Sequence, residues 1–562
     1  MSLGCRSWAL LCALLGACSD PTVSASARRD FTPPRLDVLA PARGAIAEGN
    51  ATSVEVRGNA RDDESGIDHL TVNGVTVPVA ADGSFTTRVT LGPGVTLIHT
   101  ELVDRESNTR SETRAVLAGD LVPADQTVAD GMEVRLDKKL LAALGDATAR
   151  KLDAVDLDAL AKAKNPIVDA GSSCLRAKVE ITQVHKGAVA TTLVPVDGGL
   201  ALDASIADLS ISAHIAYSLA CSSGDKTVIF SAKSFRLAGP LAVALGPDGK
   251  PRLDASQVSA AFDGFDWGGD LPSGLRDFLE LPLGNALAAF IGKEVQDRLP
   301  GLIGYLGGND HSVYVGDQKL VIALRPSALR VDPNGLYAAL DTRLYMSTLP
   351  GAVFPRSRAA LPALDAPARA LGLAVSDDAL NEMLASMWAA DVFSVSKELP
   401  LGKRLDEVAT LANHVEMIPR LPPVVEALPD GAGLRVTLAD VDAVLDLRAD
   451  GQPTRTAGRL AVTLRATFAA SIKDDHLTLT TTAPHLDVDV LPDPSGKPPI
   501  LNEDSLRALG DFLTDTLLQA LSGAFTNVPL PALDEITVSG ATATSGGSAG
   551  GYLVVTGDVA PR

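Results

Sequence analysis

Between Gly458 and Val559 apolar and polar positions follow two different periods. In GRLAVTLRATFAASI, Leu460, Val462, Leu464, Ala466, Phe468, Ala470 and Ile472 fall on one face, and Arg459, Thr463, Arg465, Thr467 and Ser471 on the other. Alternation of this kind predicts a half-buried antiparallel strand. After a turn at Lys473–His476, LTLTTTAPHLDVDVL repeats the period of two. The period then changes: Leu506, Leu509, Leu513, Leu517 and Leu521 recur at helical spacing, with Phe512, Leu518 and Phe525 widening the stripe. Asp504 or Ser505 is the expected cap. VPLPALDEITVSGATAT and GYLVVTGDV, joined by a Gly/Ser-rich turn, read as a closing hairpin. A long twisted sheet laid on one amphipathic helix describes a half-open tube.

The same order occurs earlier. Leu209, Ile211, Ala213, Ile215, Tyr217 and Leu219 share a strand face, and KTVIFSAKSFRLAG and GPLAVALG continue the sheet. A helix is expected over Leu283–Ile303, with Leu287, Phe290, Ile291, Val295, Leu299 and Leu302 as its stripe. Two sheet-plus-helix units in tandem imply a duplicated architecture. Asp120–Gly171 reads as mostly helical, and the Gly-rich Ile303–Asp317 as the break between units. Further on, LVIALRPSALRVDPNGLYAALDTRLYM reads as strands. The segment LGLAVSDDALNEMLASMWAADVF predicts a shorter helix, capped by Ser376, with Leu380, Met383, Leu384 and Met387 as its stripe.

From Arg35 to Gly119 about seven short alternating strands separated by turn signals imply an all-β sandwich. Phrases such as SGIDHLTVNG and ADGSFTTRVTL make it resemble bacterial immunoglobulin-like modules. Asp62, Asp63, Asp82 and Asp104 suit either a calcium site or turns, and no calcium-loop spacing is present, which favours turns.

Composition narrows the function class. The chain has 562 residues, 46% hydrophobic but only 4% aromatic, so its cores are built of Leu, Val and Ala. A formal charge of −20 argues against nucleic acid as partner. Residues 1–17 read as a secretory signal ending in Leu15-Gly16-Ala17-Cys18, which looks like the lipobox of bacterial lipoproteins. The alternative is an ordinary signal with Cys18 incidental. With Cys18 lipidated, residues 18–34 become a polar tether to a membrane, and Ser19 after the cysteine favours the outer membrane. Cys5 and Cys12 leave with the signal. Cys174 and Cys221 then remain as an even pair in an oxidising compartment, either bridged or buried as thiols.

These elements together resemble the family of bactericidal/permeability-increasing protein and lipopolysaccharide-binding protein, within the tubular lipid-binding superfamily. The likeness spans roughly 120–562. It rests on the Ser376–Asn381 context of the short helix, on the closing hairpin after Val528-Pro529-Leu530-Pro531, and on the order of elements. It implies an α+β fold: an immunoglobulin-like sandwich over 35–119, then tubular units over 120–308 and 309–562 forming a boomerang. It also implies a disulfide in the first unit, where Cys174 and Cys221 lie. The bound partner would be an acyl-chain amphiphile such as a phospholipid, lodged between sheet and helix. The ligand-facing candidates are Phe290, Ile291 and Val295 in the first unit, and Met383, Met387, Phe512, Leu513 and Leu517 in the second. Basic residues are scattered, with only the pairs Arg28–Arg29 and Lys138–Lys139, so lipopolysaccharide capture is not carried over.

Catalytic chemistry finds no support in the sequence. Gly546-Gly547-Ser548-Ala549-Gly550 matches the serine-hydrolase elbow in letters, but strand patterns flank it on both sides where a helix must follow. The eight histidines are dispersed, with His214 on a polar strand face and His476 in a turn. Asp487 and Asp489 alternate onto the solvent face. The expectation is a non-enzymatic lipoprotein that binds an amphipathic lipid and uses no metal or cofactor. The competing reading is a structural or adhesive surface lipoprotein whose sandwich makes the contacts.

Overall fold

The computed structural model describes residues 29–272, 274–279, 282, 285–286, 289, 293, 310–346, 352–357, 359–362, 364, 369–399, 412–448, 453–473, 476–491, 503–526, 536–546 and 550–561. Strands dominate. The chain divides into two compact units: the smaller holds residues through Ala42, Ser53–Thr90 and Leu97–Arg114, and the larger holds Arg43–Thr52, Leu91–Thr96 and Ala115 onward.

Strands of the amino-terminal module form a three-stranded sheet (Arg35–Ala40, Ser53–Arg61, Ser84–Thr90) and a five-stranded one. Val56, Ala60, Leu70, Ile98 and Leu102 are buried, as alternation requires. Asp62 accepts from the Glu64 and Gly66 N–H groups, and Asp104 from those of Glu106 and Asn108. Asp82 caps Ser84, and Asp63 pairs with Arg61. Asp62, Asp82 and Asp104 serve turns, and Asp63 an ion pair.

In the larger unit an eight-stranded sheet is built on the hairpin Gly199–Leu219 and Ser222–Leu245. Its inner face carries Leu200, Leu202, Ile206, Leu209, Ile211, Ala213 and Ile215, all buried, while Tyr217 and Leu219 are half-buried near the tip. Two neighbouring hairpins turn at Ser173–Cys174 and Ala220–Cys221. Their left-handed residues (φ 50° at Ser173, 48° at Ala220, 65° at Cys221) are those a two-residue strand reversal needs. Because Leu175 pairs with Leu219, the tips are adjacent, and a disulfide joins Cys174 to Cys221. Two helices lie on this sheet. Lys138–Asp153 is capped by Asp137, which accepts from the Lys139 and Leu140 N–H groups at 2.8 and 2.9 Å. It approaches the strand Val189–Val196 so closely that a Cβ on Gly145 would stand 3.0 Å from the Thr191 carbonyl oxygen. Leu157–Ala163 is separately capped by Asp156.

A thirteen-stranded sheet makes most of the rest, beside a two-stranded one of Asp120–Pro123 and Val353–Arg356. Across it run Asp310–Val315, Gln318–Asp332, Gly335–Met346, Val128–Asp137, Leu371–Ser376, Tyr552–Pro561, Ile536–Gly546, Arg455–Lys473, Leu434–Leu447, His414–Pro419 and Val395–Glu398. His476–Leu491 pairs the remaining side of Arg455–Lys473, and Val424–Ala427 pairs Leu434–Leu447. Asp120–Gly171, expected to be mostly helical, is corrected here. Asp120–Pro123 and Val128–Asp137 are strands, and the latter sits between Gly335–Met346 and Leu371–Ser376, pairing with residues about two hundred or more positions away. The remaining helical run is two helices, broken where Asp156 starts the second. The core over both sheets is one continuous apolar cluster. Among the described residues no helix is long and apolar enough to cross a membrane.

Candidate functional site

The strand Arg455–Lys473 shows how alternation builds an apolar wall. Leu460, Val462, Leu464 and Phe468 are fully buried on one face. Pairing sets Leu486, Val488 and Val490 of His476–Leu491 directly beside Leu464, Val462 and Leu460. That strand has no second partner among the described residues, so the inner face ends there in three half-buried apolar side chains. The helix Glu503–Thr526 sits on this face with Leu509, Leu513, Leu517 and Leu521 each 0% exposed. It begins one residue before Asp504, so Asp504 and Ser505 lie in its first turn rather than at the cap.

The two flanks of that helix differ from its centre. At about 100° per residue, Phe512 and Leu518 stand roughly 120° to either side of the leucine stripe. Both are half-buried. The Leu518 flank also carries Gly510, where a Cβ would lie 3.9 Å from Leu486 Cδ2. The Phe512 flank carries Gln519, whose Oε1 accepts from Lys397 Nζ at 3.4 Å on the far edge strand Val395–Glu398. The strands between those edges therefore curve around the helix. Each side of it is thus an apolar seam: Leu518 stands on the flank that faces Leu486, and Phe512 on the flank that faces the strand Val395–Glu398.

The opposite sheet face is less solvated than its polar letters suggest. Asp440, at φ 51° in a bulge of Leu434–Leu447, accepts from Arg43 Nη1, the Gly44 N–H and the Ala115 N–H at 2.9, 2.8 and 2.9 Å. Arg43 also lies 3.8 Å from Asp489, leaving that carboxylate only 12% exposed. Thr463, expected in solvent, is buried because it accepts from the Asp440 N–H. Asp487 stays nearer solvent, beside Arg465 and His485.

A second centre surrounds the helix Asp377–Ala389. Ser376 caps it through the Ala379 N–H at 3.0 Å. Leu380, Met383, Leu384 and Met387 are buried, but so are Asp377, Asp378, Asn381 and Glu382. Asn381 acts as a strand partner: its Oδ1 accepts from the Val425 N–H at 2.7 Å and its Nδ2 donates to the Val425 carbonyl at 2.9 Å. Ser357 donates its N–H to Asp378 at 2.6 Å and its hydroxyl to Asp377 at 2.8 Å. Burial pushes the Asp377 carboxyl up to about 7, against the Ser357 hydrogen bond and with the repulsion of Asp378. Burial likewise pushes Glu382 up to about 9, with Arg343 pulling the other way. The Leu344 backbone N–H pulls it down more than Arg343 does, without offsetting the burial. Asp377 and Asp378 tie Ser357 to the start of this helix.

The expected site residues fall into three groups. Leu513 and Leu517 are sealed under the helix, with Phe512 at its flank. Met383 (1% exposed) and Met387 (0%) are buried in the same core cluster as the leucine stripe. Phe290, Ile291, Val295, Cys18 and Ser548 lie outside the described residues. The one constellation that suits a metal ion among the described residues is Asp30, Asp62 and Asp104, with carboxylate oxygens within 4.8 Å of one another. Each carboxylate is already occupied by turn hydrogen bonds. The periodicity reading placed Leu518 beside the helix stripe but did not single out Leu486, Val488 and Val490; their signal was a strand whose apolar face ends at an unpaired edge.

Comparisons with known proteins add the following. Residues 34–119 match the family described as glucodextranase, domain B. No curated protein sequence matches the chain. A crystal structure of lipopolysaccharide binding protein aligns over 77% of this chain and 100% of its own, at 16% identity and a TM-score of 0.41. A likeness that distant decides neither fold nor ligand, so the reading of function below rests on the geometry.

Proposed function

We propose that this chain binds an amphipathic lipid, with its hydrocarbon held in the seams beside the helix Glu503–Thr526. One observation carries the reading: half-buried apolar side chains line both flanks of a fully buried leucine stripe inside a curved sheet. The buried stripe anchors the helix, and the flanks add apolar surface that remains partly accessible. At 24 residues the helix is about 36 Å long, more than the roughly 15 Å spanned by acyl chains of one leaflet. Burying apolar surface there yields about 25 cal/mol per Å2, so two acyl chains supply the affinity without any charged contact. We further propose that the protein is non-catalytic, is lipidated at Cys18 and is carried on the outer membrane, where it passes lipid between envelope surfaces.

Native mass spectrometry of the full chain purified from its source tests the reading. Lipid retained at stoichiometric ratio is expected, and Leu518→Glu should abolish it while the fold persists, because a half-exposed site tolerates a carboxylate that a sealed one does not. Well-folded protein that carries no lipid, and takes up none from vesicles, would leave the scaffold reading, with the amino-terminal module making the contacts.

A further inference from the structure

The helix Glu503–Thr526 carries a glycine that its backbone does not require. Gly510 lies well inside the helix, away from both ends, and is not among the glycines at positive φ. Glycine in a helix interior loses more backbone entropy on folding than alanine does, so its position there calls for a steric reason. Gly145, in the helix Lys138–Asp153, has one. A Cβ on it would stand 3.0 Å from the Thr191 carbonyl oxygen and 3.3 Å from the Leu193 nitrogen. Gly510 has none among the described residues. A Cβ on it would meet a single atom within 4 Å, Leu486 Cδ2 at 3.9 Å, which is ordinary van der Waals contact. Alanine would fit, and the position is instead a half-buried notch of about a methyl group's size.

The notch lies on the Leu518 seam. Four-residue steps keep to one side of a helix, so Gly510 begins the row that continues through Thr514 and Leu518, both half-buried. Leu513, three residues on, is fully buried and stands on the stripe side of that row. Across from it is Leu486, followed along its strand by Val488 and Val490, also half-buried. Neither row carries a charge, so the group that suits this notch is hydrocarbon rather than a headgroup.

Building on the lipid-binding reading, we propose that Gly510 sets the width of hydrocarbon that the Leu518 seam accepts. With no side chain at 510, the seam seats a chain bearing methyl branches as well as a straight one. The test titrates full-length protein with vesicles of dimyristoylphosphatidylcholine, whose chains are straight, and of diphytanoylphosphatidylcholine, whose chains are methyl-branched. In Gly510→Ala the melting midpoint should rise by about 2 °C, as the helix gains propensity. The ratio of the two affinities should shift about fivefold toward the straight chain, the worth of one buried methylene. Gly510→Leu fills the notch and should weaken both lipids about tenfold or more while the protein stays at least as stable as the parent. A lowered midpoint in Gly510→Leu with lipid affinity retained would show a glycine kept for packing and overturn the proposal. So would an unchanged affinity ratio in Gly510→Ala. In either case Leu518→Glu should still abolish uptake, so the lipid site itself stands. Parent protein that takes up neither lipid would overturn both readings.

Discussion

Two helices of this protein are read the same way from their letters and are used in opposite ways. Glu503–Thr526 buries one stripe, leaves Asp511 and Asp515 on its outer side with Asp511 exposed, and keeps half-buried apolar flanks. Asp377–Ala389 buries nearly every residue, acids included, and spends its polar groups on Ser357 and Val425. The first is held chiefly by its buried apolar stripe, which a lipid chain can extend, besides the bond of Gln519 to Lys397. The second adds to its buried stripe directional bonds with no substitute. Among buried helices, the kind of contact rather than its extent separates a movable wall from a fixed joint.

Breaking the apolar contact should cost most. Leu517→Ala removes a fully buried side chain and should lower stability by about 3–5 kcal/mol in denaturant titration. If bound lipid fills the space, its presence should recover part of that loss. A change outside both helices serves as the reference. Cys174→Ser opens a bridge spanning 47 positions and should cost about 2–4 kcal/mol, lowering the melting midpoint without altering lipid retained at the long helix. At the fixed joint, Asn381→Ala leaves the Val425 N–H and carbonyl unpaired. It should cost about 2–3 kcal/mol, with no recovery on adding lipid.

The smallest effect separates the helices by pH. Glu382 is raised from 4.5 to about 9 and Asp377 from 3.8 to about 7, so the folded state binds protons more tightly than the unfolded one. That contribution is fully present below pH 4 and is lost as pH rises through 7 and then 9. Glu382→Gln should therefore change little at pH 4 and stabilise the protein by about 1–2 kcal/mol at pH 8 in paired thermal melts. An unchanged pH profile would show that this carboxyl is solvated in the folded protein.

Much of this was legible because period is local. Leu460 to Phe468 alternate onto a buried face, and Leu509 to Leu521 fall in line, since each pattern reports only its own backbone geometry. Partners chosen from far away were not. Val128–Asp137 carries an Asp-Gly step that masks its alternation, and it becomes a strand because Gly335–Met346 and Leu371–Ser376 pair with it. Asp489 and Thr463 alternate onto a polar face, yet Arg43 and Asp440 cover them. Acidic letters likewise concealed the all-round burial of Asp377–Ala389. Phe262, Phe265 and Trp267 meet Phe230 and Phe235 in one aromatic cluster, and three rings within six residues of a chain poor in rings are a signal that a period-based reading passes over.

The most direct test of the movable wall is photocrosslinking of folded, full-length protein with a diazirine-bearing phosphatidylcholine presented in vesicles. Crosslinks are expected in the peptides holding Phe512 and Leu518 and in the Leu486–Val490 segment, and should disappear in Leu518→Glu. Crosslinks scattered over the outer sheet faces, with the helix Glu503–Thr526 and the edge strand beside it unlabelled, would contradict a lipid site at that helix.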